Sequence, residues 1–209
     1  VLLLDLGANP QVVRIYDSAD QSSVSSKMPI RLLMNDVANT VEIFKGKVSI
    51  AQEWPTETSS LDSLDIADDR GIEAGVGSGV TMVTFRAAGG RTTCRKAATT
   101  HEYYGGDHEV FGSSALTTLN IFGGDVATFG SFIVSTINMG GGNLISNSIG
   151  TIGSLDFKQG DSNVDFTKSP AARSLTNIRY NGGGGTINWH ENITLSSFLA
   201  NTGTRFTAA

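Results

Sequence analysis

The 209-residue chain carries 15 Lys and Arg against 20 Asp and Glu; a net charge of −5 excludes a generic nucleic-acid binder, with its basic face, and disfavours an anionic membrane surface. Its 25 glycines stand well above the usual share of about 7%, and with four prolines and 39% hydrophobic residues the composition is turn-dense and all-β, not disordered. The single cysteine, Cys94, leaves no intrachain disulfide and so excludes a disulfide-stapled module.

In chain order, Val1-Leu2-Leu3-Leu4 is interrupted by Asp5, too soon for a membrane span and without the charged leader of a signal peptide. With no initiator Met, residues preceding Val1 are expected to be missing from the sequence. Val12-Val13-Arg14-Ile15-Tyr16 reads as a strand and 17–27 as a polar loop. Residues 29–37 fit a strand or a short helix, because so short a run carries no decisive period. Residues 1–40 are therefore expected to form an N-terminal cap or docking arm.

From Val41 onward, apolar triplets alternate with glycine turns. Val41-Glu42-Ile43 is followed by Gly46 and Val48-Ser49-Ile50; Leu64-Asp65-Ile66 comes after a 51–63 insert that holds Trp54-Pro55. The spacing then settles. Val83-Thr84-Phe85, His101-Glu102-Tyr103, Leu119-Asn120-Ile121, Ile137-Asn138-Met139 and Leu155-Asp156-Phe157 begin 18 residues apart. Their turns are Ala88-Gly89, Gly106-Asp107, Gly124-Asp125, Gly142-Asn143 and Gly160-Asp161. A second apolar stretch follows each turn, and a third apolar spot recurs at Val80, Leu116, Val134 and Ile152. Ile178-Arg179-Tyr180 arrives 23 residues after Leu155, and Thr186-Ile187-Asn188-Trp189 follows a glycine corner.

A unit this short cannot bury its own apolar face, so it must stack on copies of itself. The expected fold is all-β: a parallel β-helix (β-solenoid) with coils of about 18 residues, two or three short strands each. About eight coils are expected over 41–195, with a C-terminal cap or tail at 196–209. A left-handed hexapeptide helix wants an aliphatic residue every six positions. Leu119, Asp125, Ser131, Ile137, Asn143 and Ile149 break that rule half the time, which favours a right-handed or irregular coil.

Several constellations invite a chemical reading. Asp107, Asp125, Asn143 and Asp161 follow turn glycines in four successive coils, so Asp107, Asp125 and Asp161 are candidate calcium ligands. Gly-Asp and Gly-Asn are equally what a tight corner requires. One carboxylate per coil is a thin shell for an ion that takes about six to eight oxygens, so the corner reading is preferred and no metal or cofactor is expected. Tyr104 and Phe122, like Phe111 and Phe129, are one coil apart, which places their rings in stacking range. Tyr104 and Phe122 point outward in this frame; with Arg86 and Lys158 beside them, and Trp54 of the insert, they are candidate partner or glycan contacts. His101 and His108 fall in columns that are apolar elsewhere, which favours buried, hydrogen-bonded imidazoles over a metal site or an acid–base pair.

Asp68-Asp69-Arg70 is similar to the paired aspartates of pectin-degrading β-helices, but their Gly-His-Gly and Arg-x-Lys elements are missing, so a solvated loop is the better reading. The Gly/Asn/Thr/Ser-rich coils at 118–154, the stacked aromatics, the lone cysteine and the non-repetitive first forty residues together resemble β-helical bacteriophage virion proteins: tailspikes, fibres and head decoration (cement) proteins. The resemblance is one of architecture over roughly residues 41–195 and carries no site residues. It implies a non-catalytic structural protein, located in the virion, that forms a homotrimer and contacts the major capsid or another virion protein, with glycan contact possible and neither nucleic acid nor membrane as partner. The alternatives are a carbohydrate-active β-helix enzyme, with acids among Asp68, Asp69, Asp107 and Asp125, or an extracellular sugar-binding module.

Overall fold

The computed structural model describes residues 2–5, 12–17, 30–33, 39–51, 59–96, 98–113, 115–169, 171–182 and 184–200. Its strands begin with β1 (Leu2–Asp5), β2 (Val12–Ile15), β3 (Ile30–Leu33), β4 (Thr40–Ile43) and β5 (Lys47–Ile50). Next come β6 (Ser59–Ile66), β7 (Glu73–Val76), β8 (Val80–Ala87), β9 (Arg91–Cys94) and β10 (Thr100–Tyr103). The regular middle holds β11 (Asp107–Gly112), β12 (Leu116–Ile121), β13 (Asp125–Gly130), β14 (Val134–Met139) and β15 (Gly142–Ser146). The last are β16 (Ile152–Phe157), β17 (Asp161–Asp165), β18 (Arg173–Tyr180), β19 (Gly184–Asn188) and β20 (Ile193–Ala200).

Odd-numbered strands form one ten-stranded parallel sheet and even-numbered strands another. Each coil is thus an even strand, a glycine corner, an odd strand and a linker back to the next even strand. The expected β-solenoid is the observed fold, with two strands per coil. Eight coils open with β4, β6, β8, β10, β12, β14, β16 and β18, and β20 starts the next. Residues 1–40, expected to stand apart as a cap or arm, contribute β1, β2 and β3 to the same two sheets. The 29–37 ambiguity resolves as a strand at Ile30–Leu33; at the other end, β20 carries the coil past residue 195 to Ala200.

Alternation decides which side chains face inward. His101/Tyr103, Leu119/Ile121, Ile137/Met139, Leu155/Phe157 and Ile178/Tyr180 stack as two buried columns on the even sheet. His108/Val110, Val126/Thr128 and Leu144/Ser146 face them from the odd sheet. The long even strands are bent. In β8, Val80 and Met82 point inward, Val83 and Thr84 do not, and Phe85 and Ala87 point inward again. The recurrent spot at Leu116, Val134 and Ile152 is the first limb of this bend, one stacked column of the even sheet.

The bend also displaces the frame read from sequence. Phe85, not Val83, pairs with His101, and Val83 is 49% exposed. The spacing there is 16 residues, against 18 from His101 to Leu119 to Ile137 to Leu155. A second slip falls in the odd sheet, where Asn143 pairs with Asn163. Asp161 therefore stands outside the Asp107–Asp125–Asn143 column in which the 18-residue count had placed it.

Arg173 occupies an inward position at the start of β18 and is buried. Its guanidinium donates to Ser146 O (2.8 Å), Ser146 Oγ (3.1 Å), Phe166 O (3.4 Å) and Ser148 O, and lies 4.9 Å from the Phe166 ring centre. Burial holds its pKa below the ordinary arginine value. A cation is thus held inside the coil by carbonyls of the preceding coil and of its own linker. Cys94 is fully buried and its thiol is pushed up to about 12 by that burial. Thiol reagents are therefore expected to leave Cys94 unmodified in the native protein and to label it fully in denaturant; rapid native labelling would contradict the packing of β9.

Candidate functional site

The corners that join even to odd strands set the geometry of the site. Most span three residues, as at 88–90, 104–106 and 122–124, and end on a left-handed glycine, as at Gly90, Gly106 and Gly124. The corner backbones stack directly: Asp107 N donates to Gly90 O (2.9 Å), Asp125 N to Gly106 O (2.8 Å) and Asn143 N to Gly124 O (2.9 Å). A Cβ on Gly105 would meet Ala88 O at 2.8 Å, and one on Gly89 would meet Asp68 Oδ1 at 2.6 Å. Close stacking thus confines the last two residues of these corners to glycine and leaves a trench of bare backbone behind their first residue.

Among the fully described corners, one is longer. Residues 67–72 join β6 to β7 and stand beside the trench. Asp69 ties this loop by accepting a hydrogen bond from Gly71 N (2.7 Å), and the buried Ile72 anchors its end. Between the loop and the next corners lies a depression of about 650 Å3. Tyr104 lines it, the Gly89–Gly90 and Gly105–Gly106 backbones floor it, and charged groups rim it: Asp68, Arg70, Glu73, Arg91, Asp107 and Asp125. Its volume is that of a small-molecule site.

Aromatic rings open four of the corners and form a broken ridge. Tyr104 and Phe122 are 52% and 44% exposed and stack at 4.9 Å with planes 21° apart. Tyr16 and Phe44, the residues after β2 and β4, stack in the same way at 5.0 Å and 9°. Ala67 and Ala88 take the equivalent positions between the two pairs, as the repeated bonds from Phe44 N, Ala67 N, Ala88 N and Tyr104 N to the preceding coil establish.

A polar ladder runs along the outer face of the even sheet beside this ridge. Arg86 sits between Asp65 (3.4 Å) and Glu102 (2.8 Å); Asn120 donates to Glu102 (3.3 Å) and Asn138 to Asn120 (2.8 Å). The bond to Glu102 raises the Arg86 pKa further, while burial lifts that of Asp65. Asn143 donates to Asp125 (2.6 Å), Asn163 to Asn143 (2.9 Å) and Thr186 to Asn163 (2.6 Å) in a matching ladder on the odd sheet.

The structure brings together Tyr104, Phe122, Asp107 and Asp125, with Arg86 in the row beside them. Lys158 lies two corners beyond Phe122, past Gly140, and is held by Asp156 (3.6 Å). Trp54 lies outside the described residues. Among the described residues no three His, Cys, Asp or Glu side chains gather to hold a metal ion. Of the four acids considered for a hydrolase, Asp68, Asp107 and Asp125 share the depression, while Asp69 serves its own loop. Sequence reasoning missed Glu73 and Arg91, which share the column of Asp107, and the Tyr16–Phe44 pair; aromatic residues placed directly after an even strand are the signal that finds the latter.

His101 and His108 are core groups. Ala98 N donates to His101 Nε2 (2.9 Å), so the proton sits on Nδ1, which donates to Tyr103 Oη (2.8 Å). His108 Nε2 donates to Gly105 O (2.5 Å) and its Nδ1 accepts from Thr92 Oγ1 (2.9 Å). Burial lowers both pKa values, that of His101 to about 3, with the neighbouring His108 adding to the effect. Both rings are neutral packing elements, stacked on Phe85 (5.2 Å) and Tyr103 (4.4 Å) respectively.

Compared with known protein families, with curated proteins and with solved structures, the chain matches none of them. The class that the fold defines is the β-solenoid; the function is argued from the surface.

Proposed function

We propose that the chain is a non-catalytic structural protein of a virion, a capsid decoration (cement) or spike component that works through protein–protein contacts as a homotrimer. One observation carries the contact reading. On two successive coils, the outer face of the odd sheet and its linkers present Ile133 (54% exposed), Ile145 and Ile149 (48% exposed) near the stacked Phe111–Phe129 pair. Neighbouring stretches of both sheets are covered by polar ladders, so this apolar area stands out as a surface made to be covered. The virion assignment draws on the resemblance of the Gly/Asn/Thr/Ser-rich coils and stacked rings to β-helical virion proteins. The partner on the particle is then the major capsid protein or another virion protein.

The test is the mass in solution. A trimer of about 66 kDa, three times the 22.0 kDa chain, is expected. Ile149→Asp buries no new charge in the monomer, since the side chain is exposed, yet places a carboxylate in the interface. That variant is expected to be a folded monomer with unchanged strand content. A wild-type monomer at every concentration would overturn the reading.

A further inference from the structure

We propose that the depression beside the glycine corner is a glycan subsite for neutral, extended oligosaccharides, with Tyr104 and Phe122 as the stacking platform. A sugar ring offers an apolar face of C–H groups and a rim of hydroxyls that both donate and accept. The depression offers the matching pair: an exposed aromatic ring at one end, and a rim that mixes carboxylate acceptors (Asp68, Asp107, Asp125) with guanidinium donors (Arg70, Arg91). Phe122 packs against Tyr104 and lies so close to Gly140 that a Cβ there would meet its ring at 2.8 Å. The platform is thus held in place before a ligand arrives, which lowers the entropic cost of binding.

The floor supports the same occupant. The glycines at 90, 105 and 106 put no side chain on the floor between the loop at 67–72 and Tyr104, which leaves room for a bulky ring. A peptide added as an extra strand finds no free edge here, because the corner amides of Asp107 and Asp125 are already bonded to the preceding coil. Nucleic acid is disfavoured by charge: Asp68, Glu73, Asp107 and Asp125 outnumber Arg70 and Arg91. The same excess disfavours sugar acids and selects neutral or N-acetylated units. Length follows from the ridge. The Tyr16–Phe44 pair lies four coils from Tyr104–Phe122, roughly 19 Å at about 4.8 Å per coil, so one extended chain spans both platforms.

The inference shares with the structural reading only its non-catalytic character: the bound chain is left uncut. The full chain is applied to an array of neutral, N-acetylated and acidic glycans, and hits are titrated as free hexasaccharides by calorimetry. Binding to neutral or N-acetylated chains is expected, weakened about tenfold or more by Tyr104→Ala and again by Phe122→Ala; both side chains are half-exposed, and circular dichroism checks that the fold persists. Arg91→Ala is expected to weaken binding without touching the platform. No binding on the array, binding to acidic chains only, or affinity unchanged in the Tyr104→Ala/Phe122→Ala variant overturns the subsite. Reducing ends released from a bound hexasaccharide would keep the subsite and overturn the non-catalytic reading, while the solution mass reports on the trimer independently.

Discussion

Alanine at Gly106 is expected to destabilise the protein by about 3–5 kcal/mol, one of the largest single-site effects available in this chain. Two costs combine. The residue sits at φ +89°, a conformation that alanine adopts only under strain. Its Cβ would also stand 2.3 Å from Gly90 O, 2.8 Å from Gly89 C and 3.0 Å from Gly90 N. All three atoms are backbone, so no rotamer change relieves the clash. The coils must separate, and the bonds from Asp107 N to Gly90 O and from Asp125 N to Gly106 O weaken with them. Gly71→Ala is the control: its Cβ meets only the end of the Asp69 side chain, at 3.2 Å, and a loss of about 1 kcal/mol or less is expected. Urea titration of both variants checks the contrast. Equal losses would contradict coil-on-coil contact as the reason for the glycine corners.

Acidification is expected to remove stability between pH 6.5 and about 3, with His101 as a principal cause. A histidine whose pKa is depressed in the folded state takes up its proton first in the unfolded chain. Its contribution is therefore complete above 6.5 and is lost progressively as pH falls toward the folded value of about 3. At pH 4.5, two units below the unfolded value, the loss through His101 is about 3 kcal/mol, and His108 adds to it in the same direction. The cause is geometric. Phe85, Tyr103 and the Ala98 amide enclose His101, and none of them accepts a second proton from the ring. A His101→Leu/Tyr103→Phe variant copies the column of Leu119, Ile137 and Leu155 and its neighbour of Ile121, Met139 and Phe157. It leaves the Ala98 amide without its acceptor, a pH-independent loss, yet its unfolding free energy is expected to vary less from pH 6.5 to 4.5. An unchanged pH slope would remove His101 from the account.

The repeat was legible wherever successive coils keep the same length. His101, Leu119, Ile137 and Leu155 pair at a constant offset of 18, and both predicted aromatic stacks form there. The frame failed where a bend or linker changes the count. Val83 mimics an inward residue because it alternates with Phe85, yet it sits at the bend of β8. Asp161 falls two positions early because Gly142 pairs with Ser162. Over the first forty residues the offset from Val13 to Val41 is 28, too long for the period to show. Arg173 carries no apolar signal; its burial depends on carbonyls at Ser146, Ser148 and Phe166, which no local pattern reveals. Of the candidate site, the aromatic platform was legible from one-coil spacing. The depression was not, because it needs the 67–72 loop to meet corners that follow it by one to three coils.

The two ends of each coil carry different rules for change. The glycine corners are fixed by contact with the corner before them, and among the fully described corners 67–72 is the long one. The opposite linkers run from three residues at 131–133 to five at 147–151 and seven at 166–172, while the strands on either side keep their pairing. Along that side the rod behaves like a spine bearing interchangeable branches. A new segment spliced into such a linker, clear of the 147–151 stretch that presents Ile149 and bonds Arg173, lengthens a branch and leaves the spine as it was, so this is the side on which length can change and on which a foreign peptide can be displayed.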